Sequence, residues 1–282
     1  MRKFGLIGHP LGHSLSPQIH TRLFELSGET VDYQLYDIAP EELKGKFDFL
    51  DTLDGFNITI PHKVAIMDYC SSLSEGAARY SSVNCVTGGS KLGSNTDVMG
   101  FTKSIEMMGA SLASDVLLIG CGGVGRMMAI ETALSGGHLT IAALESDKQL
   151  ADKVVEDIMA QKADSDVKVV LIRNGALSAE DFGGTVPAFD LLVNATPVGM
   201  SPKTDRMPCS PEILDGVKFV FDAIYNPKET LLAKTAREKG AKAMTGMAML
   251  VLQAVAAHEK WDNASYNNED IAALISDMEA LV

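Results

Sequence analysis

Asn57, Thr59 and Lys63 fall within one short segment, Asn57-Ile58-Thr59-Ile60-Pro61-His62-Lys63. Side chains alternate between faces along a strand, so the Asn57 amide and the Thr59 hydroxyl share a face while Ile58 and Ile60 turn to apolar packing. Pro61 restricts the residue before it and cannot donate to a ladder. The strand therefore ends there, and the Lys63 ammonium arrives close to the end of the polar row. The plainer reading of the same residues is an edge strand with a solvated lysine. Two further places hold polar groups at helix starts. Ser14 and Ser16 precede Pro17, where free backbone N–H groups and the helix dipole favour an anion such as a carboxylate, although both serines also read as caps. Asp97, in Asn95-Thr96-Asp97, stands before the helical pattern of Phe101, Ile105 and Met108, and a capping aspartate looks the same as a catalytic one.

A different chemistry is written in Gly120-Cys121-Gly122-Gly123-Val124-Gly125. Gly120, Gly122 and Gly125 fit G-x-G-x-x-G, whose glycines allow a tight turn, backbone approach to a pyrophosphate and close helix packing. The bare pattern is weak, but here it lies between a buried strand from Asp115 to Ile119 and a helix through Met128 and Leu134. A second strand, His138 to Leu144, follows Gly136-Gly137. That strand ends Leu144-Glu145-Ser146-Asp147, near the offset of about 20 residues at which an acidic side chain meets the adenosine ribose. A carboxylate accepts hydrogen bonds from ribose hydroxyls and repels a 2′-phosphate, so NAD is expected in preference to NADP. The alternatives are a glycine-rich structural turn, and solvated or capping roles for Glu145 and Asp147.

The elements that must position these groups alternate between strand and helix, the pattern of an α/β fold with a parallel or mixed sheet. Phe4 to Gly8 reads as a buried strand and Ser16 as the cap of a helix through Ile19, Leu23 and Leu26. Val31 to Ile38 follows as a strand, Pro40 opens a short helix, and Gly55 to Ile60 and Val83 to Thr87 are further strands. Beyond the glycine loop, the segments 167–172, 189–195 and 217–223 read as strands, and a helix runs from about Glu229 to Lys239. The strand ending at Ala195 delivers Asn194-Ala195-Thr196 to a loop at its carboxyl end, where ligands sit in open α/β sheets. From Gly246 the pattern changes to apolar helices. Gln253 interrupts the first of them, and a buried amide needs partners, so it bonds inside the core or faces a cleft.

Composition narrows the function. The chain has 282 residues, a length that favours two domains, with 46% hydrophobic and 22% charged residues, as in a soluble globular protein. A formal charge of −13 disfavours nucleic acid, whose binding rests on basic side chains displacing counterions. Cys70, Cys85, Cys121 and Cys209 show neither a C-x-x-C pair nor metal-ligand spacing, so no metal is expected. There is no secretory leader pattern and no apolar run of ~18 residues that would span a membrane; the cytoplasm is the expected location.

At this point the chain resembles the shikimate dehydrogenase family, which includes the quinate/shikimate dehydrogenases. Gly8-His9-Pro10 through His13-Ser14-Leu15-Ser16-Pro17 and His20 looks like its first signature, and the Asn57 to Lys63 segment like its second. Asn95-Thr96-Asp97 with Gly100, the glycine loop, Asn194-Ala195-Thr196, Ile224-Tyr225-Asn226-Pro227 and Gly246 through Gln253 follow in family order. The resemblance implies a substrate-binding α/β domain formed by residues 1–101 and the returning helices 246–282. Residues 102–245 would form a Rossmann-like, doubly wound dinucleotide-binding domain, with the active site in the cleft between. By the same resemblance Lys63 and Asp97 are the catalytic pair, Ser14, Ser16 and Tyr225 hold a carboxylate, and Thr59, Asn84 and Gln253 surround ring hydroxyls with Asn57 nearby. Gly120, Gly122, Gly123, Val124, Gly125, Glu145, Asn194, Thr196 and Gly246 would line the cofactor. The implied enzyme moves a hydride between NAD and a ring hydroxyl of shikimate, quinate or a close relative.

Two departures stand out. Many NADP-dependent members carry Asn-Arg-Thr where this chain has Leu144-Glu145-Ser146, which again points to NAD. The usual Asn-Thr after the fourth strand is Asn84-Cys85, which puts one contact in question and leaves room for another cyclic polyol acid. A non-catalytic ligand-binding or regulatory protein on the same fold, and a dehydrogenase of an unrelated small hydroxy acid, are the competing readings. Oligomerisation is left open by the sequence.

Overall fold

A computed structural model describes residues 1–12 and 14–282; His13, part of the N-terminal signature, lies outside the described residues. The chain divides into two compact units, one of Met1–Gly100 with Leu250–Met278 and one of Phe101–Met249 with Glu279–Val282.

In the first unit β1 (Lys3–Gly8), α1 (Ser16–Leu26), β2 (Asp32–Asp37), α2 (Phe47–Leu50), β3 (Gly55–Ile58), β4 (Ser72–Leu73), α3 (Glu75–Tyr80), β5 (Cys85–Thr87) and β6 (Leu92–Ser94) build a sheet of order β2-β1-β3-β5-β6-β4. β1 runs parallel to both β2 and β3, whereas β5 is antiparallel to β3 and β6. The sheet is buried on both faces. Ile7, Ile58, Ile66 and Val86 pack in one cluster, and Phe4, Phe24 and Tyr33 in another, with Trp261 against it. Each large apolar side chain so buried contributes about 1.5–3 kcal/mol. α1 obeys its i, i+4 pattern, with Ile19 and Leu23 fully buried. Its start differs from the expected one: Ser16 is the first helical residue, not the cap, and the Ser16 N–H donates to Ser14 Oγ at 3.2 Å. The strand expected to reach Ile60 ends at Ile58, and Ile60, past the apolar layer, is 74% exposed instead of packed.

α4 (Asp97–Met107) leads into the second unit, where β7 (Asp115–Ile119), α5 (Gly123–Leu134), β8 (His138–Leu144), α6 (Lys148–Gln161), β9 (Val167–Ile172), β10 (Leu191–Asn194), β11 (Phe219–Asp222), α7 (Leu231–Glu238) and β12 (Lys242–Thr245) follow. Its sheet has the order β12-β11-β10-β7-β8-β9 and every pairing is parallel. This is the doubly wound Rossmann arrangement, whose strand order reverses between β7 and β10 and whose ligands sit at the carboxyl ends there. Strands with helices on both faces need apolar side chains in both directions, and Leu117, Ile119, Leu192 and Val220 are all fully buried. α8 (Met247–Asp262) and α9 (Asn268–Glu279) end the chain.

Candidate active site

The turn after β3 is pinned before it presents any chemistry. The buried His62 ring donates from Nε2 to the Ile38 carbonyl at 2.7 Å, and the Lys63 carbonyl accepts the Val83 N–H at 2.8 Å. Lys63 is thereby held by its own backbone while its side chain stays 25% exposed. Its Nζ donates to Asp97 Oδ2 at 2.6 Å. Asp97 opens α4, and its N–H donates to Asn95 Oδ1 at 3.1 Å, so the Asn-Thr-Asp triplet folds back on itself and aims the aspartate. The other carboxylate oxygen, Oδ1, accepts Asn84 Nδ2 at 2.9 Å.

Asn84 is buried and its remaining oxygen is also used, accepting the Thr96 N–H at 2.7 Å and the Thr96 hydroxyl at 3.1 Å. The Thr96 hydroxyl has a single proton, for which Gln253 Oε1 on α8, 3.4 Å away, is the alternative acceptor to Asn84, and the Gln253 amide donates to the Leu250 carbonyl at 2.9 Å. Lys63, Asp97, Asn84, Thr96 and Gln253 thus form one connected network within the first unit. Thr96 joins its two halves, and nothing in the sequence beyond its place in the triplet marked it. Asn57 stands behind this network: it is buried, accepts the Tyr33 hydroxyl at 2.9 Å and donates to the Asn84 carbonyl at 3.4 Å. Thr59 is half-buried past the end of β3, and its N–H donates to the Ile7 carbonyl at 2.9 Å.

Ser14 and Ser16 lie at the start of α1, Ser16 buried and Ser14 half-buried with its hydroxyl already accepting the Ser16 N–H. Cys85, which stands in the place of the family threonine, is wholly buried beside Trp261, and burial pushes its thiol well above the ordinary range. It packs in the core of the first unit.

In the second unit the glycine turn leads from β7 into α5. Gly120 has φ +101°, and a Cβ there would lie 2.8 Å from Thr196 Cγ2; a Cβ on Gly125 would overlap the Gly120 carbonyl oxygen. Neither position admits a side chain. Gly122, Gly123 and Val124 are exposed at the helix start, and no side chain caps it. Uncovered N–H groups, a favourable dipole and open space beside the glycines fit the pyrophosphate of a dinucleotide.

The Asn194 side chain is completely engaged inside the fold. It donates to Asp222 Oδ1 at 2.9 Å and accepts the Thr196 N–H at 3.0 Å and the Thr196 hydroxyl at 2.7 Å. Tyr225 is half-buried after β11, and the Gly246 N–H donates to the Ile224 carbonyl at 2.8 Å. Among the described residues no group of three or more His, Cys, Asp or Glu side chains is placed to hold a metal ion, and no helix is long and apolar enough to cross a membrane.

Residues 6–86 match the model of the shikimate dehydrogenase substrate binding domain. A shikimate dehydrogenase (NADP(+)) from Caldanaerobacter subterraneus subsp. tengcongensis is 35% identical over 94% of this chain and 93% of its own. The chain belongs to the shikimate dehydrogenase family. It is accordingly a hydride-transfer oxidoreductase by descent. A second family member, shikimate dehydrogenase (NADP(+)) of Shouchella clausii, is 36% identical over 95% of both chains. A crystal structure of a shikimate dehydrogenase in complex with NADP+ aligns with TM-score 0.83 and 33% identity over 98% of this chain and 95% of that one.

These relatives overturn the expected preference for NAD, since the two enzymes are named for NADP(+) and the solved one holds NADP+. The physical weakness of that expectation lies at Glu145 and Asp147. Both carboxylates are exposed on a 3-10 turn at the end of β8, with Lys148 immediately after. A solvated carboxylate rotates away at little cost, so its presence near the expected offset does not exclude a 2′-phosphate.

Proposed function

We propose that this protein is a shikimate dehydrogenase that uses NADP, oxidising one ring hydroxyl of shikimate to a ketone. The observation that carries the reading is the 2.6 Å pair of Lys63 Nζ and Asp97 Oδ2, tied through Asn84 and Thr96 to Gln253. Oxidation of a secondary alcohol removes a hydride from carbon and a proton from oxygen together. When bound, the nicotinamide takes the hydride.

The proton is the business of this chain. In the reducing direction the Lys63 ammonium donates a proton to the carbonyl oxygen as it gathers charge, and in the oxidising direction the pair takes the hydroxyl proton back. Asp97 stabilises the ammonium and accepts a hydrogen bond from the substrate hydroxyl. Thr59, Asn84 and Gln253 are proposed to orient the ring hydroxyls, and Ser14 and Ser16 at the start of α1 to hold the carboxylate. Asn57 acts one layer back, through Asn84. In the second unit Gly120, Gly122, Gly123, Val124 and Gly125 are proposed to cradle the pyrophosphate, and the relatives' names support NADP as its carrier.

Steady-state assays with shikimate, and with quinate for comparison, in the presence of NADP+ decide the reading. Turnover of shikimate with NADP+ is expected. A protein that binds shikimate tightly and turns over neither acid is instead a ligand-binding member of the family.

A further inference from the structure

Asp222 is fully buried at the end of β11 and, among the described residues, has no cation beside it; its partners there are Asn194 Nδ2 at 2.9 Å, the Ile224 N–H at 3.1 Å and Thr230 Oγ1 at 2.7 Å. They come from the end of β10, the loop after β11 and the cap of α7. Two of them share Oδ1 and the third takes Oδ2, so both carboxylate oxygens are needed. Asn194, held in this way, turns its own oxygen to the Thr196 N–H and hydroxyl. The Thr196 hydroxyl accepts the Val198 N–H at 3.2 Å. The methyl of Thr196 and the backbone of Ala195 then fill the space that a Cβ on Gly120 would take, and the Ala195 Cβ lies 3.3 Å from where a Cβ on Gly125 would sit.

We propose that Asp222 is a positioning residue for the dinucleotide: through Asn194 it sets the Asn194-Ala195-Thr196 turn against Gly120 and Gly125 and so shapes the pyrophosphate cradle. The inference rests on the reading that the second unit binds NADP. A buried carboxylate without a cation is an expensive way to tie a loop, and burial pushes Asp222 up to about 6. An asparagine in its place would present one oxygen to three donors and turn an amide N–H₂ toward one of them. The side chains of Asn194 and Thr196 are occupied inside the turn, so what the turn offers a ligand is its backbone, whose position Asp222 governs.

The test is titration of the full-length protein with NADPH, followed by the cofactor's own fluorescence, beside kinetics with shikimate. Asp222→Asn is expected to weaken NADPH binding about tenfold, the loss of one charge-assisted hydrogen bond. Its kcat at saturation and its KM for shikimate are expected to stay within about twofold of wild type, as for an interaction that serves only cofactor binding. Thr230→Val, which removes one donor to Asp222, is expected to weaken NADPH about threefold, and Thr230→Ser, which keeps it, to restore wild-type affinity. Should Asp222→Asn fail to fold, the two Thr230 variants decide. Wild-type NADPH affinity in folded Asp222→Asn, or equal affinities in the Thr230 pair, overturns the inference alone. A wild-type protein that does not bind NADPH overturns the cofactor reading and this inference with it.

Discussion

Lys63 and Asp97 keep 25% and 17% of their side-chain surfaces exposed, whereas Asn194 and Asp222 keep none. The two units therefore use polar side chains in opposite ways. In the first, side chains at the ends of the sheet bond to one another and leave capacity over: an ammonium has three donors, and Asp97 takes one from Lys63. In the second, Asn194, Thr196, Asp222 and Thr230 bond inward until the fold has used them, and the groups left facing outward are backbone N–H groups at the start of α5. The difference follows from what each unit is proposed to hold. Moving a proton needs titratable atoms that a substrate can reach, while gripping a pyrophosphate needs close backbone approach that a side chain would obstruct.

The largest effect expected from breaking this division is on the side-chain half. Lys63→Ala removes the proton donor and should lower kcat by about 10²–10⁴, the usual contribution of a general acid or base. NADPH titration should be unchanged, because the lysine is not part of the glycine cradle. Loss of cofactor affinity in this variant would show that the two functions are not separable.

The backbone half is broken at Gly125, where a methyl group would meet the Gly120 carbonyl oxygen. Gly125→Ala should weaken NADPH by roughly tenfold or more, the free energy of overpacking at a tight contact. Shikimate KM should hold steady, and a shift in shikimate KM alone would contradict the assignment.

A smaller, pH-dependent contrast comes from the buried titratable groups. In the first unit His20 bonds to His258 at 3.0 Å, and His258 to the Tyr266 hydroxyl at 2.8 Å. Burial holds His20 well below the ordinary imidazole value of 6.5 and His258 down at about 3. Groups depressed on folding contribute stability that is full above the unfolded value and is lost as pH falls from 6.5 toward 3. Asp222 has the opposite sign: raised from 3.8 to about 6, its contribution is full below 3.8 and is lost as pH rises through 6.

Acidification from pH 7 to 5 should therefore weaken the first unit and relieve the second. Trp261, the one tryptophan of the chain, lies in the first unit, so its fluorescence reports that unit's melting. Its transition should fall with acid more steeply than the ellipticity transition of the whole protein. Coincident shifts of both signals at every pH would remove the contrast.

The smallest effect on activity is expected from Cys85→Thr. The thiol lies in the core beside Trp261, so KM for shikimate should move by less than about twofold while a newly buried hydroxyl lowers stability by about 1–3 kcal/mol. A changed preference between shikimate and quinate would instead mean that this position reaches the ligand.

Much of the fold was legible because its elements are long or strongly patterned. β8 runs from His138 to Leu144 as expected, and the glycine turn lies between β7 and α5 where the strand-turn-helix context required it. β12, the four-residue edge strand Lys242–Thr245, was not legible. Neither was β4, of two residues, nor β6, of three. β4 and β6 are too short to show an alternation, and Lys242-Ala243-Met244-Thr245 lacks the apolar run that marks β10 and β11, so these segments become strands only by pairing with a neighbour. Ile60 misled for a related reason: alternation assigns faces only while the strand and the layer packed on it both continue.

What the sequence by itself determined was the inventory of chemistry: the lysine after a proline-ended strand, the aspartate at a helix start, the glycines that a turn cannot replace, and the family those segments share. Their local geometry forces these readings, since each depends on residues only a few places apart. Tertiary structure alone decided the partners. Lys63 meets Asp97 across 34 positions, and Thr96 meets Gln253 across 157, distances over which no local pattern survives. It also decided that Asn194 faces inward to Asp222 and that Cys85 lies under Trp261, because the direction a polar side chain takes at a strand end depends on which strand and helix are packed beside it.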